Sequence, residues 1–524
     1  MGENQELNLA KRIFWLIIIF GLTVGLSLIS IKVPLARDQG VASYLGWQIL
    51  EGKVIYKDLY HFNFPGIFWT YALGFKLFGL KPSSVNLLDL FFRLLTLLGV
   101  YLATARIFGQ KVGLWASLVY GLTSTVFFND WWLNAQKETF ALGGLAYSFY
   151  FFIRGKEGRR LFWSWFLLFG LFSFWAMLYK PTVILAPGML GLYLIFSKRY
   201  ESKKRLIGVL MSGLGFVLPL ILFLGYLGSK EALDDMIEQV FIFGSQYGGQ
   251  FYTGGIKTFF WVLWKIIKWG FEFGFLVASS LLALNLLIRQ KDENFRLVLW
   301  FGLGLFLNLL VQLKFFDYHF MVLILPLSIL SGVFLNYLSQ ANSERAWLWV
   351  LFIFLLIANF TPGIARYRAE LLYDFGKVSQ EHFLSRYGRW GFGDICARSF
   401  FQLSQYLREH STKEDEVLVF GLEPGINFYS QRRSPTRFSY DLPLTYEFGG
   451  QRFKAYQKRL QEEFISGLKS NSPLYIVVVE KDNTAIEPKD SFEQCLEFIE
   501  LREFLRENYY LETKIEHYYL YRRK

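Results

Sequence analysis

Four short charged motifs stand beside hydrophobic stretches of this sequence, and their residue types suit acid–base and phosphate chemistry. They are Arg37–Gly40, Asn134–Glu138, Tyr179–Pro181 and Lys314–His319. A carboxylate such as that of Asp38 or Glu138 can act as a general base toward a hydroxyl group. Neighbouring Lys, Arg and His side chains can neutralise the charge of a phosphate leaving group. A substrate that joins a phosphate, a sugar and a long isoprenoid tail would need this combination.

Each of these charges also has a purely structural explanation when it is taken alone. Charged side chains at hydrocarbon depth are expensive and are usually paired or functional, but long side chains near a helix end can reach the membrane interface. For Lys137 and Asp130 the two explanations carry equal weight. The functional explanation is favoured for Asp38, Glu138, Lys180 and His319.

The composition indicates that membrane-spanning helices hold these motifs. Of the 524 residues, 53% are hydrophobic and 19% are charged, against about 25% charged in a typical soluble protein. With only two cysteines, this composition excludes a disordered chain and a small disulfide scaffold. The net charge of +12 lies entirely in residues 1–362, while residues 363–524 carry both signs equally. Positive charge in the hydrophobic part is typical of cytoplasmic loops, so no nucleic-acid partner is expected.

The hydropathy pattern predicts about eleven transmembrane helices, each of which needs about 20 mostly apolar residues. The clearest lie at residues 13–31, 161–179, 206–229 and 346–365, and the others at 86–105, 112–129, 139–153, 181–197, 273–288, 297–313 and 319–337. The first is expected to be retained, because its apolar run is longer than that of a signal peptide. Asp89 and Arg93 lie four residues apart in the second span and are expected to pair.

The distribution of charge predicts the orientation in the membrane. With the N-terminus in the cytoplasm, ten of the twelve surplus positive charges fall on inner loops, as the positive-inside rule requires. The odd number of spans then places the segment after residue 362 and all four charged motifs on the outer face. The predicted location is therefore the plasma (inner) membrane, with an extracytoplasmic C-terminal domain.

Two domains are expected, a transmembrane domain at residues 1–362 and a soluble α/β domain at residues 363–524. The first includes two long outer loops, at residues 32–85 and 230–272, and the earlier loop contains helix-like pieces at 41–51 and 65–79 that suit the membrane interface. The tail alternates predicted strands with predicted helices, which is typical of an α/β domain. The strands are 416–421, 474–481 and 509–521, and the helices are 400–410, 451–469 and 491–508.

Motifs of soluble enzymes are absent from the sequence. It contains no dinucleotide-binding or Walker glycine loop and no His/Cys spacing of a metal site. A pump driven by ATP hydrolysis in this chain is therefore not expected, and no cofactor or divalent metal ion is supported. Whether Cys396 and Cys495 form a disulfide is left open, because two buried thiols explain them equally well.

The order and spacing of the charged motifs resemble those of the integral-membrane GT-C glycosyltransferases. The similarity is to the bacterial branch of the protein-mannosyltransferase and lipid A aminoarabinose-transferase superfamily, which is glycosyltransferase family 39-like. It covers nearly the whole chain. The segments that carry it are the first outer loop (37–66), the second to fourth helices (93–138), two later turns (180–181 and 314–326) and the beginning of the tail (417–437).

The resemblance implies roles for the candidate residues. Asp38 corresponds to the acidic residue of the first loop, which is the base toward the acceptor, and Glu138 matches a second acidic position that orients acceptor or donor. The implied donor-phosphate ligands are Arg37, Lys180, Lys314, His319 and His61. Gln39 follows Asp38 where some relatives have a second acid, which weakens any case for a metal ion. Relatives often carry Lys-Pro-Pro where this loop has His61–Pro65. Either His61 or Asn63 replaces that lysine, or another residue makes the contact with the phosphate. A plain interfacial aromatic role explains His61 equally well.

The sequence therefore predicts a membrane glycosyltransferase, either a hexosyl- or a pentosyltransferase. It would transfer a sugar from a polyprenyl-phosphate-linked donor to a lipid, glycan or protein acceptor on the outer face of the membrane. A lipid or oligosaccharide transporter or flippase is the first alternative, but the inverted repeats that it predicts are not visible. An O-antigen-ligase-like enzyme is the second, and the appended α/β tail argues against it. The sugar, the isoprenoid and the acceptor are not identified by the sequence.

Overall fold

A computed structural model describes the chain at residues 7–127, 133–158, 161–197, 201–249, 255–290, 292, 294–340, 346–388, 396–447, 451–484 and 487–524. Its α-helices up to residue 229 are α1 (Leu9–Ile29), α2 (Arg37–Leu50), α3 (Gly66–Phe78), α4 (Pro82–Phe108), α5 (Gln110–Leu122), α6 (Lys137–Lys156), α7 (Phe162–Tyr179), α8 (Leu185–Phe196) and α9 (Ser202–Ser229). Those that follow are α10 (Leu233–Met236), α11 (Gly244–Gly249), α12 (Ile256–Glu272), α13 (Gly274–Arg289), α14 (Phe295–Gln312), α15 (Ile324–Leu338), α16 (Ala346–Asp374), α17 (Gln380–Ser385), α18 (Ala397–Glu409), α19 (Gly425–Ser430), α20 (Leu442–Thr445), α21 (Gln451–Ser470), α22 (Ser491–Glu497) and α23 (Ile499–Asn508). The predicted site candidate Asp130 lies outside the described residues.

The chain divides into two compact units, each built from three separate segments. The first unit joins Met1–Ile31, Asn86–Tyr226 and Tyr252–Arg368. The second unit joins Lys32–Val85, Leu227–Phe251 and Ala369–Lys524. The first predicted outer loop therefore belongs to the same compact unit as the tail.

Among the described residues, six helices are long and apolar enough to cross a membrane. These spans are Leu9–Lys32, Pro82–Phe108, Phe162–Tyr179, Ser202–Ser229, Phe295–Gln312 and Asp317–Leu338. Two bent helix pairs, α12 with α13 and the two halves of α16, raise the number to as many as eight. The predicted helical membrane architecture with a C-terminal α/β part is confirmed, whereas the count of eleven stays a prediction.

Two of the shorter predicted spans explain part of the difference in number. The span predicted at 112–129 corresponds to α5, which ends in a π-helical turn at Thr123–Phe127. The span predicted at 139–153 corresponds to α6, whose first and last turns both carry charged residues. Charges at both ends shorten the apolar part of a helix, so α6 does not qualify as a span by composition.

Helices α6 and α7 pack antiparallel at close range because a glycine faces the neighbouring backbone. A Cβ atom at Gly144 in α6 would lie 2.8 Å from the backbone nitrogen of Ala176 in α7. Real Cβ atoms essentially never approach a neighbour that closely. Glu138 lies in the first turn of α6 and Lys180 directly follows α7, so the close packing places these two residues side by side.

The second unit contains a four-stranded sheet of β1 (Val417–Phe420), β2 (Tyr475–Val479), β3 (Tyr509–Ile515) and β4 (Tyr518–Arg523). The strand order is β1-β2-β4-β3. Strands β1 and β2 are parallel and completely buried, whereas β4 pairs antiparallel with both β2 and β3. Parallel strands need a long crossover connection, and here helices α19, α20 and α21 lie between β1 and β2.

The predicted elements of the tail are found with two differences. The single strand expected at 509–521 is a hairpin of β3 and β4, because Glu516 adopts a left-handed conformation with φ of 49° between them. The single helix expected at 491–508 is divided into α22 and α23 at Phe498, which is not helical. Both Cys396 and Cys495 are free thiols.

The first outer loop forms helices α2 and α3, and α2 packs on α19 of the tail. A Cβ atom at Gly40 in α2 would lie 3.0 Å from the Cα atom of Gly425 in α19. Phe75 of α3 stacks on Phe428 of α19 with ring centroids 5.1 Å apart. Helix α2 begins at Arg37, earlier than the helix-like piece predicted from residue 41, so its first turn includes a predicted site residue.

We expect Gly144→Ala to weaken the packing of α6 on α7. The added methyl group meets backbone atoms, which cannot rotate away, and overpacking of this kind costs about 1–3 kcal/mol. The measurement is the thermal unfolding midpoint of the purified full-length protein in detergent. The matched control is Gly191→Ala in α8, where a Cβ atom meets nothing within 4 Å and better helix propensity favours the folded state. Equal midpoints for the two variants would contradict the expectation.

Candidate active site

Glu138 and Lys180 form a buried ion pair in the first unit. The Lys180 ammonium donates to Oε1 of Glu138, and the side chains of the two residues are 6% and 0% exposed, respectively. The first turn of α6 favours a carboxylate, since the helix dipole is positive there. Lys180 is in an extended conformation before Pro181, which cannot donate a backbone hydrogen bond to α7. A buried charge is stable only when it is paired, so each of these residues requires the other.

Polar atoms beside this pair lack hydrogen-bond partners within the described part of the chain. They are Oε2 of Glu138 and Nδ1 of His319, and both are buried. Three ammonium groups lie within electrostatic range of the His319 ring, those of Lys180, Lys137 and Lys314. Buried polar atoms almost always have a hydrogen-bond partner in the protein or in bound water, so these two atoms are available to a bound molecule. Lysine and histidine side chains are groups that can bind an anion such as a phosphate.

Asp89 and Arg93 pair with each other in α4, as their spacing predicts. Arg93 Nε lies 2.5 Å from Oδ2 of Asp89, and both residues are buried. The remaining polar atoms of the pair bond to the chain just before α6 and to the end of α5. The pair therefore lies close to the first turn of α6.

In the second unit, Arg37 opens α2 and bonds to the tail. Its Nε donates to Oε1 of Glu423 at 3.0 Å, and its second terminal nitrogen donates to the carbonyl oxygen of Asp482 at 3.3 Å. Asp38, the next residue, lies half-buried in the first turn of α2 and within electrostatic range of Glu423. The contacts of Arg37 therefore fix the beginning of α2 and, with it, the position of Asp38.

Buried carboxyl groups of the tail lie within electrostatic range of Arg37, namely those of Asp441, Asp482 and Glu487. Asp482 is well satisfied, because its oxygens accept bonds from the Ser491 hydroxyl at 2.6 Å and the Ser491 amide at 2.8 Å. Burial raises the pKa of Asp441 to about 7, and the charge of Asp482 adds to the shift. Burial likewise raises the pKa of Glu487.

The sequence reasoning did not single out these tail residues. One signal could have found two of them, because Glu423 follows β1 and Asp482 follows β2. The carboxyl ends of neighbouring parallel strands meet at one edge of a sheet, which is where α/β proteins commonly place functional side chains. No comparable pattern marks Asp441, which lies outside the strands.

His61 is buried among aromatic rings of the second unit. Its ring lies 4.7 Å from the ring of Phe68 and 5.5 Å from that of Tyr440, measured between centroids. Its Nδ1 accepts a hydrogen bond from the backbone amide of Asn63 at 3.0 Å. Among the residues that the structure describes, no group of three His, Cys, Asp or Glu side chains has the geometry of a metal site.

We expect the second unit to lose stability as the pH rises from about 4 to about 7. The native pKa of Asp441 is about 7, while an unfolded Asp titrates near about 3.9. The native state therefore binds more protons in this range, and each proton lost favours unfolding. Because Asn cannot ionise, Asp441→Asn should raise the thermal unfolding midpoint at pH 8 and leave it nearly unchanged at pH 4.

Asp415→Asn is a control with the opposite sign. Hydrogen bonds from the Thr412 amide and hydroxyl lower the pKa of Asp415, so the Asp415 carboxylate stabilises the fold above its unfolded pKa. This variant should lower the midpoint at pH 8. A lower midpoint for Asp441→Asn at pH 8 would show that the buried carboxyl does not destabilise the protein.

A family model and several solved structures are similar to this chain. Residues 63–225 match the family model described as dolichyl-phosphate-mannose-protein mannosyltransferase. No curated protein sequence matches the chain. Among solved structures, the chain is similar to ArnT from Cupriavidus metallidurans in the apo state, with a TM-score of 0.62, and bound to undecaprenyl phosphate, with a TM-score of 0.59. Both matches have 14% identity and cover 97% of each chain.

A weaker similarity is to the oligosaccharyltransferase of Archaeoglobus fulgidus. Its TM-score is 0.46 at 12% identity, with 97% of this chain and 74% of that chain covered. The ArnT matches establish a shared fold over nearly the whole chain. The family match covers the helices that hold Glu138 and Lys180. The chain therefore shares the fold of ArnT over nearly its whole length, and residues 63–225 are similar to a mannosyltransferase family model.

Proposed function

We propose that this chain transfers a sugar from a polyprenyl-phosphate-linked donor to an acceptor on the outer face of the plasma membrane. The observation that carries this proposal is the buried Glu138–Lys180 pair, with the buried ring of His319 beside it, in a unit of membrane-spanning helices. A polyprenyl phosphate presents an anionic phosphate next to an apolar tail, so it requires cations within an apolar surrounding. ArnT, which shares the fold, has been crystallised with undecaprenyl phosphate.

In this proposal the donor phosphate is bound by Lys180, Lys314 and His319, and Lys137 adds a fourth positive or hydrogen-bonding group. Glu138 holds Lys180 in position through their ion pair. Fixed cations around the phosphate stabilise the charge that develops when the bond between the sugar and the phosphate breaks. The product on this side of the reaction is the free polyprenyl phosphate.

Asp38 is the proposed general base. Its half-buried carboxylate lies at the positive end of the α2 dipole. It accepts the proton of the acceptor hydroxyl as that oxygen bonds to the anomeric carbon, while the donor phosphate leaves with the electron pair of the broken bond. A single displacement of this kind inverts the anomeric configuration.

Two residues that were predicted to bind the phosphate have other contacts within the second unit. Arg37 bonds to Glu423, and His61 packs against Phe68. A role for Arg37 or His61 at the phosphate stays a prediction. The cytoplasmic N-terminus and the extracytoplasmic tail are likewise part of the proposal, supported by the charge of the loops.

We expect Lys314→Gln to weaken the binding of undecaprenyl phosphate. A charge-assisted hydrogen bond contributes about 1.5–3 kcal/mol, which corresponds to a loss of roughly 10–100-fold in affinity. Binding is measured by native mass spectrometry of the full-length protein titrated with this lipid. Lys257→Gln removes the same charge from an exposed position in α12 and should bind as the wild type does. Equal affinities for the two variants would remove Lys314 from the phosphate site.

We expect Asp38→Asn to abolish most of the sugar transfer, by roughly 100–10,000-fold, because an amide cannot accept the proton. The assay follows radiolabelled sugar from polyprenyl-phosphate donors into products extracted from membranes. Asp234→Asn, at an exposed position in the same unit, should retain wild-type rates. Retained transfer by Asp38→Asn would exclude Asp38 as the base. Lipid translocation in proteoliposomes without sugar transfer by the wild type would favour the transporter alternative.

A further inference from the structure

The ion pair between Asp89 and Arg93 lies deep inside the first unit, on a candidate membrane-spanning helix. Arg93 is 1% exposed and Asp89 is 4% exposed. Removing two charges from water is unfavourable unless every remaining hydrogen-bonding atom also finds a partner. The partners that satisfy these atoms therefore show what the pair holds in place.

Those partners lie outside α4. The two terminal nitrogens of Arg93 donate to the carbonyl oxygen of Ser124 and, at 3.1 Å, to Oδ1 of Asn134. Oδ1 of Asp89 accepts the backbone amide of Ala135 at 2.9 Å. The pair thus ties α4 to the π-helical end of α5 and to the two residues that lie shortly before α6.

The backbone at that point needs external support. Ala135 has a φ of 50°, in the left-handed region that L-residues other than Gly, Asn and Asp rarely adopt. It is completely buried. Gln136, the residue before α6, contributes no side-chain cap to the helix. The hydrogen bond from the Ala135 amide to Asp89 therefore helps to hold this strained turn in place.

The turn determines the direction of the Glu138 carboxylate. Helix α6 begins at Lys137, directly after Gln136, so the conformation of Ala135 sets where the helix starts. Each residue of an α-helix advances the side-chain direction by about 100°. A change in the start of α6 by one residue would turn Glu138 away from Lys180.

We infer that Asp89 and Arg93 are positioning residues, which hold the start of α6 so that Glu138 keeps Lys180 at the donor phosphate. This inference rests on the proposed function. It goes beyond a structural ion pair because the bonds of the pair end on the turn that orients Glu138. Neither residue touches the reacting groups in this scheme.

The test is the double variant Asp89→Leu/Arg93→Met. It replaces the buried pair with apolar side chains of similar length, a change that folded proteins often tolerate, but it removes the bonds to Asn134 and Ala135. The matched control is Arg106→Met/Glu157→Gln, which breaks the ion pair between the other ends of α4 and α6. Both variants uncouple the same two helices, and only the first reaches the turn before Glu138.

The expected result is a fall of roughly 10–100-fold in kcat for Asp89→Leu/Arg93→Met, with kcat of the control within about twofold of the wild type. Hydrogen exchange of the peptide that covers residues 133–140 should accelerate in the first variant only. Asp89→Glu, which keeps a carboxylate for both bonds, should recover part of the lost rate. A wild-type kcat with unchanged exchange in the double variant would overturn the inference, as would an equal loss of kcat in the control.

The exchange measurement separates this inference from the proposed function. If the wild type transfers no sugar, the proposed function fails, while faster exchange at residues 133–140 in the double variant alone still supports the positioning role. If the wild type is active and the double variant keeps its kcat, the positioning role fails and the proposed function stands. A low unfolding midpoint in the double variant with a wild-type midpoint in the control would assign the loss of kcat to folding and overturn the inference.

Discussion

Charge that is buried in the apolar first unit must be neutralised where it lies, and the arrangement of helices around α6 follows from this requirement. Lys180 is stable there only because α6 presents Glu138 to it. Arg93 in turn is stable because Asp89, the Ser124 carbonyl oxygen and the Asn134 side chain accept its hydrogen bonds. The two ion pairs are linked through the first turn of α6. A substitution that removes one of these charges therefore leaves its partner buried and unpaired.

In the second unit, buried carboxyl groups are neutralised partly by protonation. Several carboxyl groups surround the single guanidinium of Arg37, and Glu423 and the Asp482 carbonyl use its donors. Burial raises the pKa of Asp441 and of Glu487, so these carboxyl groups are partly protonated and uncharged. The proposed base, Asp38, follows Arg37 directly in the chain and shares its electrostatic surroundings.

The class of the fold could be predicted because its signals are local. Apolar stretches mark the membrane helices, and the buried runs Val417–Phe420 and Tyr475–Val479 mark the parallel strands. The hairpin of β3 and β4 was missed because the left-handed conformation of Glu516 leaves no trace in hydropathy. The number of spans was harder to predict, since helices such as α6 carry charges at their ends.

Some of the candidate site residues could also be predicted from the sequence. Glu138 and Lys180 are conspicuous because charges are rare beside apolar stretches, but their bond to each other depends on the close approach of α6 and α7 at Gly144. That approach is a long-range property of the packing. Asp441 could not be singled out from the sequence, because burial of a single side chain in an α/β domain has no sequence signature.

The second unit is assembled from distant segments of the chain, and this has a consequence for the synthesis of the protein. Its first segment, Lys32–Val85, is separated by hundreds of residues from the β4 strand at Tyr518–Arg523, which lies inside the sheet. Contacts over such distances form late, because a long loop must be closed before they are made. Helix α2 therefore emerges from the ribosome long before α19 exists to receive it. During translation the loop around Asp38 therefore remains without its packing partner until residues 425–430 have been synthesised.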